Sequence, residues 1–344
     1  MEDTVPNDNL KIIIPMAGFG TRLRPHTWSK PKPLVSAAGR SVLSHVLDTF
    51  ATAPDFENAE LVFIIGYLGD QVRDFMQANY PEVKAHFVVQ EEMLGQSHAV
   101  AFAREFMHGP TLLAFVDTLV ETDLGFLADE DAESVIWVKR VEDPRRFGVV
   151  EVGEEDRVTG LIEKPDSMEN DLAIVGLYYF QRGEDLMATI DKQIAADRQT
   201  KGEFYLADAM DMMLKDGLHM RAERVDIWLD AGIPDTVLET NQYLLDNGRD
   251  NTPAVPSQEG VTITGPVHID PSAQINNSQI GPHVSVGPQC KIENCVISDT
   301  VLEAGARLHN AQLTHSIVGT RANVEAVNGS VNIGDDSEVK GEPA

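Results

Sequence analysis

Beyond residue 261 an isoleucine, valine or leucine returns every five or six residues, at Ile269, Ile275, Ile280, Val286, Ile292, Ile297, Leu302, Leu308, Leu313, Val318 and Val324. The stretch IGPHVSVGPQCKI shows the unit most clearly, with Val284 and Cys290 each four residues after an apolar position. Short hexapeptide repeats of this kind stack into a parallel β-helix, in which each coil buries its apolar corner only against its neighbours. About seventy residues then predict roughly four coils, at three hexads per coil. The repeat occupies residues 261–334, with an acidic tail expected over 335–344. Ahead of it, DNTPAVPSQEG (250–260) carries two prolines and no apolar periodicity, and reads as a linker.

The 344-residue chain has room for a separate domain before that linker. KIIIPM (11–16) is an apolar run opening directly onto AGFGTR, the pattern of a buried strand feeding a phosphate-binding turn. Strand-like LVFII (61–65), HFVVQ (86–90) and TLLAFVD (111–117) follow, alternating with helical stretches near 41–50, 69–79 and 96–107. Such alternation predicts a mostly parallel sheet, with ligands beyond the C-terminal strand ends, where Ala17 and Asp117 fall. From Ser134 the strand candidates crowd together (SVIWVKRV, FGVVEV, VTGLIEKP, AIVGLYYF), predicting an antiparallel or mixed insertion over that sheet. Helices resume with EDLMATI and YLADAMDMMLKDG, and a last strand, VDIWLDAG, precedes the helix PDTVLETNQYLLDNG.

The formal net charge is −28, which argues against nucleic-acid binding, since that calls for a basic footprint. Positive charge is instead concentrated locally: Arg22, Arg24, Lys30 and Lys32 lie close together. The two cysteines, Cys290 and Cys295, exclude a disulfide framework and read as buried thiols of the repeat. Met1 to Asn9 lacks the basic start and apolar core of a signal peptide, and no apolar run approaches the ~20 residues that span a bilayer. A cytoplasmic protein with a flexible arm over residues 1–10, and no membrane partner, is expected.

The richest stretch chemically is AGFGTRLRPHTWSKPKPL (17–34). Gly18 and Gly20 let the main chain turn tightly and approach a polyphosphate, with backbone N–H groups turned toward its oxygens. Arg22 and Lys32 supply mobile positive charge for the same phosphates. The spacing matches neither GxGxxG nor the Walker A pattern, which argues against a dinucleotide-dependent dehydrogenase.

The run GxGTRLRPxTxxxPKPL resembles the signature of the nucleoside-diphosphate-sugar pyrophosphorylases. That family includes glucose-1-phosphate thymidylyltransferases, UTP–glucose-1-phosphate uridylyltransferases and mannose-1-phosphate guanylyltransferases. The similarity runs from residue 11 to about 245. It implies a Rossmann-like, mixed, mostly parallel α/β nucleotidyltransferase domain over 11–249, followed by a short left-handed parallel β-helix. It further implies that Ala17, Gly18, Gly20, Thr21, Arg22 and Lys32 hold a nucleoside triphosphate, and that Asp117 and Asp230 ligate Mg²⁺ through hard carboxylate oxygens. Glu163-Lys164-Pro165 resembles the family's EKP, the glutamate accepting from sugar hydroxyls and the lysine meeting the sugar phosphate. Phe147-Gly148-Val149-Val150 resembles its YGVV segment, with a phenylalanine in place of the tyrosine. Val175 and Gly176 match the floor of the sugar pocket, where a simple core strand is an equally adequate reading. MLGQSHAV (93–100) resembles the base-reading segment, in which Gly95 admits the base and Gln96 or His98 meets its edge. His98 reads equally well as a satisfied core histidine.

The resemblance implies in-line attack of a sugar-1-phosphate oxygen on the α-phosphorus of an NTP, with Arg22, Lys32 and Lys164 as the working cations. The AGxG and HAV segments resemble the uridylyltransferase branch, and the RLRPxT run with the β-helix resembles the long thymidylyltransferases. Both bases present one hydrogen-bonding edge, so dTTP or UTP is favoured, with glucose-1-phosphate as acceptor. Three alternatives stand beside this: mannose-1-phosphate guanylyltransferase activity, a non-catalytic relative that binds nucleotide sugar, and a bifunctional chain whose β-helix transfers acyl groups. The last draws on His268, His283, His309 and His315 as candidate bases. The β-helix also predicts a homo-oligomer.

Overall fold

The structure, a computed structural model, describes residues 9–342. The arm expected over 1–10 falls outside the described residues for positions 1–8, as do the last two residues of the expected tail. The chain divides into two compact units. One holds residues up to Gly18 and then Val46–Trp228; the other holds Phe19–His45 and Leu229 onward. The signature stretch after Gly18 groups with the repeat.

The first unit is built on one sheet of nine strands: β1 (Lys11–Pro15), β2 (Glu60–Ile65), β3 (Lys84–Val89), β4 (Thr111–Ala114), β5 (Ser134–Arg140), β6 (Gly148–Val152), β7 (Val158–Glu163), β8 (Leu172–Phe180) and β9 (Met220–Arg224). Strands β4, β1, β2 and β3 run parallel in that order. Ile12, Ile13 and Ile14 are fully buried, as a strand covered on both faces requires. At their N-terminal ends the buried Lys11 meets Glu60 at 3.6 Å, and Glu60 also takes Lys84 at 2.9 Å and His86 at 2.8 Å. Burial alone would raise the Glu60 pKa, but hydrogen bonds from Lys84 and His86 and the charges of Lys11 and Lys84 hold it below the ordinary carboxylate range.

The crowded strands from Ser134 onward do not form an insertion over the sheet; they extend it. Strand β8 runs antiparallel to β4, β5 and β6, and β6 pairs antiparallel with β7. Its apolar residues face a core shared with Ile13, Val62 and Leu113, so continuing the same sheet buries them. The helix expected near 96–107 is shorter, Gln96–Ala101 with a separate turn at Arg104–Phe106.

In the second unit the repeat winds through three five-stranded parallel sheets, a parallel β-helix of five coils. Val267 pairs with Val284, Val284 with Thr300 and Thr300 with Ser316, so one coil takes 17 or 16 residues. The coils outnumber the four expected because each is shorter than three full hexads. The winding also continues into the expected tail, where Glu338–Lys340 pairs with Asn323–Glu325. Corners fall at left-handed residues such as Asn277, Asn294 and Asn310, a conformation asparagine tolerates. Cys290 and Cys295 are free and buried among the apolar ladders, and burial pushes the Cys290 thiol up to about 11. The stretch expected as a linker is bonded down: Asn251 exchanges side-chain hydrogen bonds of 2.9 Å with the Ile269 backbone, and Asp250 accepts from the Val267 amide.

Candidate active site

The residues singled out from the sequence divide between the units. Ala17, Gly18, Gly95, Gln96, His98, Asp117, Gly148, Glu163, Lys164, Val175 and Gly176 lie in the first; Gly20, Thr21, Arg22, Lys32 and Asp230 lie in the second.

In the first unit the antiparallel ladder of β6 and β7 sets Gly148 directly opposite Glu163. A Cβ at position 148 would stand 2.9 Å from Glu163 Oε2 and 2.9 Å from Ile174 Cδ1, so a larger residue there would make these two side-chain ends shift. Burial drives the Glu163 pKa up to about 7; Lys164 opposes the rise, and Asp208 adds to it. Asp208 Oδ2 is buried and has no hydrogen-bond partner among the described residues.

Lys164 follows at the end of β7 with φ of +48°, an uncommon backbone conformation for a lysine. Its amide donates to the Phe147 carbonyl at 3.0 Å, which fixes the turn. Its Nζ lies 3.9 Å from Glu163 Oε1 and 4.3 Å from the centroid of the Tyr205 ring, and it donates to the Tyr205 hydroxyl. Burial works to lower the lysine pKa, but Tyr205 and Glu163 outweigh it and the net shift is upward. The ammonium is thus held charged, with a third of the side chain open.

Tyr205 went unnoticed in the sequence, where YLADAM reads as the start of a helix. It also joins two motifs read separately: its carbonyl accepts from Ser97 Oγ at 3.1 Å, and the next amide, Leu206, donates to Gln96 Oε1 at 3.3 Å. The segment MLGQSHAV (93–100) is therefore seated on residues 204–206. Gly95, at φ of +119°, is required there by the chain itself, since a Cβ would lie 2.6 Å from the Phe204 backbone. His98 sits edge-on to Phe102 at 5.1 Å, with Nδ1 buried and without a hydrogen-bond partner among the described residues.

Of the remaining positions, Val175 is a core residue at 1% exposure, with no side-chain surface to offer a ligand. Gly176, at φ of +87°, marks the break in pairing along β8, and its carbonyl accepts from the Phe115 amide. Phe147 packs its ring against Trp228 at 5.1 Å, where the family's tyrosine would bring a hydroxyl. Asp117 is half-buried in the turn after β4, Ala17 is buried and Gly18 is exposed with open space around it.

In the second unit Gly20 takes φ of +60°, and its carbonyl accepts from Thr27 Oγ1 at 2.7 Å, closing the loop on itself. Thr21 and Arg22 are exposed on a single turn, and Lys32 opens the turn Lys32–Leu34, half-buried. Lys30 departs from the sequence reading. Its Nζ is buried against Glu303 at 3.1 Å and Asp335 at 3.4 Å, so its charge is neutralised within the unit. Asp230 ends the strand Trp228–Asp230; Thr236 Oγ1 donates to its carboxylate at 3.4 Å and Thr240 to its carbonyl at 3.0 Å.

Residues 11–247 match the family described as Nucleotidyl transferase, and residues 263–343 match the one described as GMPPB C-terminal domain. The bifunctional protein GlmU of Methanococcus vannielii is 30% identical over 75% of this chain, which spans 60% of that relative's length. A glucose-1-phosphate thymidylyltransferase of Streptomyces griseus is 26% identical over 92% of this chain and 93% of its own. The crystal structure of a UDP-glucose pyrophosphorylase complexed with UDP-glucose superposes with a TM-score of 0.59 at 18% identity, covering 69% of this chain and 99% of that one. The chain belongs to the nucleotidyl transferase family. Among the described residues no helix is long and apolar enough to cross a membrane.

Proposed function

We propose that the chain transfers a nucleotidyl group from dTTP or UTP to glucose-1-phosphate, giving the nucleoside-diphosphate sugar and pyrophosphate. The observation that carries this reading is the Gly148–Glu163–Lys164–Tyr205 cluster: a carboxylate that accepts from sugar hydroxyls beside a cation held ready for a phosphate. A sugar-1-phosphate is already ionised, so its oxygen attacks the α-phosphorus in line without a general base, and positioning with charge neutralisation does the work. Lys164 draws the second anion in against repulsion. Arg22 and Lys32 meet the triphosphate and the departing pyrophosphate.

Asp117 and Asp230 fit a magnesium ion by donor chemistry. Among the described residues no three or more His, Cys, Asp or Glu side chains gather to cage a metal, and magnesium typically takes one or two carboxylates and leaves its other positions to water and phosphate. When bound, such an ion supplies positive charge to the phosphate oxygens. The choice of thymine or uracil follows the similarity to the Streptomyces griseus enzyme and the pyrophosphorylase fold.

A second activity in the β-helix is favoured by one observation, the likeness to a relative named bifunctional. Two of its histidines are engaged otherwise: His283 meets Asp246 at 3.0 Å, and His315 meets Asp299 at 2.9 Å and Asp235 at 3.3 Å. Pyrophosphate release from five nucleoside triphosphates crossed with four sugar-1-phosphates tests the assignment. The greatest kcat/KM is expected with dTTP or UTP and glucose-1-phosphate. Absence of release from every pair would overturn it.

A further inference from the structure

One buried carboxylate of the β-helix holds both flanks of the PKPL segment. Glu303 is 5% exposed. Its Oε2 pairs with Lys30 Nζ at 3.1 Å and accepts from Ser36 Oγ at 3.1 Å, while Oε1 accepts from the Ser36 amide at 3.0 Å. Lys30 lies two residues before Lys32 and Ser36 four residues after it, so Glu303 brackets the turn that presents Lys32. The clamp is braced from a neighbouring coil. Lys30 Nζ donates to Thr320 Oγ1 at 2.9 Å, and Asp335 accepts from Ser29 Oγ at 2.7 Å and from the Thr320 amide at 2.8 Å. His26, three residues past the close of the glycine turn, hydrogen-bonds Asn332, and burial lowers its pKa, which favours a neutral ring.

A loop rich in glycine and proline has few side chains of its own to fix it, and buried charges hold their geometry only when fully paired. Here the charged groups Lys30, Glu303 and Asp335 all meet partners, and those from the β-helix come from stacked coils. We propose that Glu303, acting with Lys30, is a positioning residue that sets Lys32 for the triphosphate, so that the β-helix serves the nucleotide half of the reaction directly. The proposal rests on the reading of Lys32 as a triphosphate cation given above.

Two measurements on the full-length protein test it. In the absence of any substrate, amide hydrogen exchange at Ser36 is expected to quicken in Glu303→Gln, which keeps the shape of the side chain and removes its charge. An unchanged Ser36 rate overturns the clamp whatever the chain catalyses. In steady-state assays Glu303→Gln is expected to raise the KM for the nucleoside triphosphate roughly tenfold or more and that for the sugar-1-phosphate less than about twofold. Equal rises in both KM values, or a fall in kcat alone, overturn the positioning role. If Glu303→Gln fails to fold, Ser36→Ala deletes only the hydroxyl contact and is expected to raise the triphosphate KM by a smaller factor; no change there counts against the proposal. Wild-type protein that releases no pyrophosphate defeats the functional reading alone, because the exchange measurement still decides the clamp.

Discussion

Three lysines in this chain precede a proline inside a signature motif, and the structure gives two of them, Lys30-Pro31 and Lys164-Pro165, opposite tasks. Lys30 is buried between two carboxylates, Glu303 and Asp335, and its charge is used up within the fold. Lys164 leans on a tyrosine ring and its hydroxyl, keeps a third of its side chain open, and has as its acidic neighbour a glutamate whose pKa is pushed up to about 7. A lysine surrounded by full negative charges is a structural pin. A lysine kept charged by a hydroxyl and an aromatic face is still able to attract an anion. Proximity in sequence to other basic residues does not distinguish the two; the acids that meet Lys30 lie some three hundred positions away.

The comparison breaks first at stability. Lys30→Met leaves two buried carboxylates facing each other without a cation, and is expected to cost about 3–5 kcal/mol in a denaturant melt. Lys164→Met is expected to change the melt little, since its charge is partly solvated. Equal losses would erase the distinction.

A smaller effect follows from the pH dependence of Glu163. Its pKa rises from 4.5 to about 7 on folding, so the folded chain binds this proton more tightly than the unfolded chain. Stability from this group is therefore lost as pH climbs through that window and is level above it. In Glu163→Gln that slope is expected to vanish. A slope that survives the substitution assigns the titration elsewhere.

The smallest effect concerns the hydroxyl that holds Lys164. Tyr205→Phe keeps the ring and removes one hydrogen bond to a charged group, which is expected to raise the sugar-1-phosphate KM roughly fivefold to tenfold. An unchanged KM would mean that the ring alone holds the ammonium.

Much of this was legible in the chain because its signals are local. The five- and six-residue recurrence of Ile269 through Val324 sets corners and buried ladders by spacing alone, and KIIIPM announces a strand covered on both faces. What escaped depends on pairings between distant segments. The close approach of the Phe204 backbone to Gly95 joins segments far apart in the chain. At Val175 the sequence fits a pocket floor and a core strand equally, and its burial depends on sheet neighbours that spacing does not show. Tyr205 carried no signal beyond a helix start, since its role comes from β7 reaching it across forty residues. The number of coils was misjudged because a coil closes in 16 or 17 residues, which the apolar pattern alone does not reveal.

The most direct test of the account sets Lys164→Met beside the wild type in a pyrophosphate-release assay with saturating nucleoside triphosphate and glucose-1-phosphate, together with a thermal melt of each. The account predicts release reduced by about 10²–10³-fold, the usual effect of removing one preorganised charge from a transition state, at an unchanged melting temperature. Release by Lys164→Met at near the wild-type rate would contradict it.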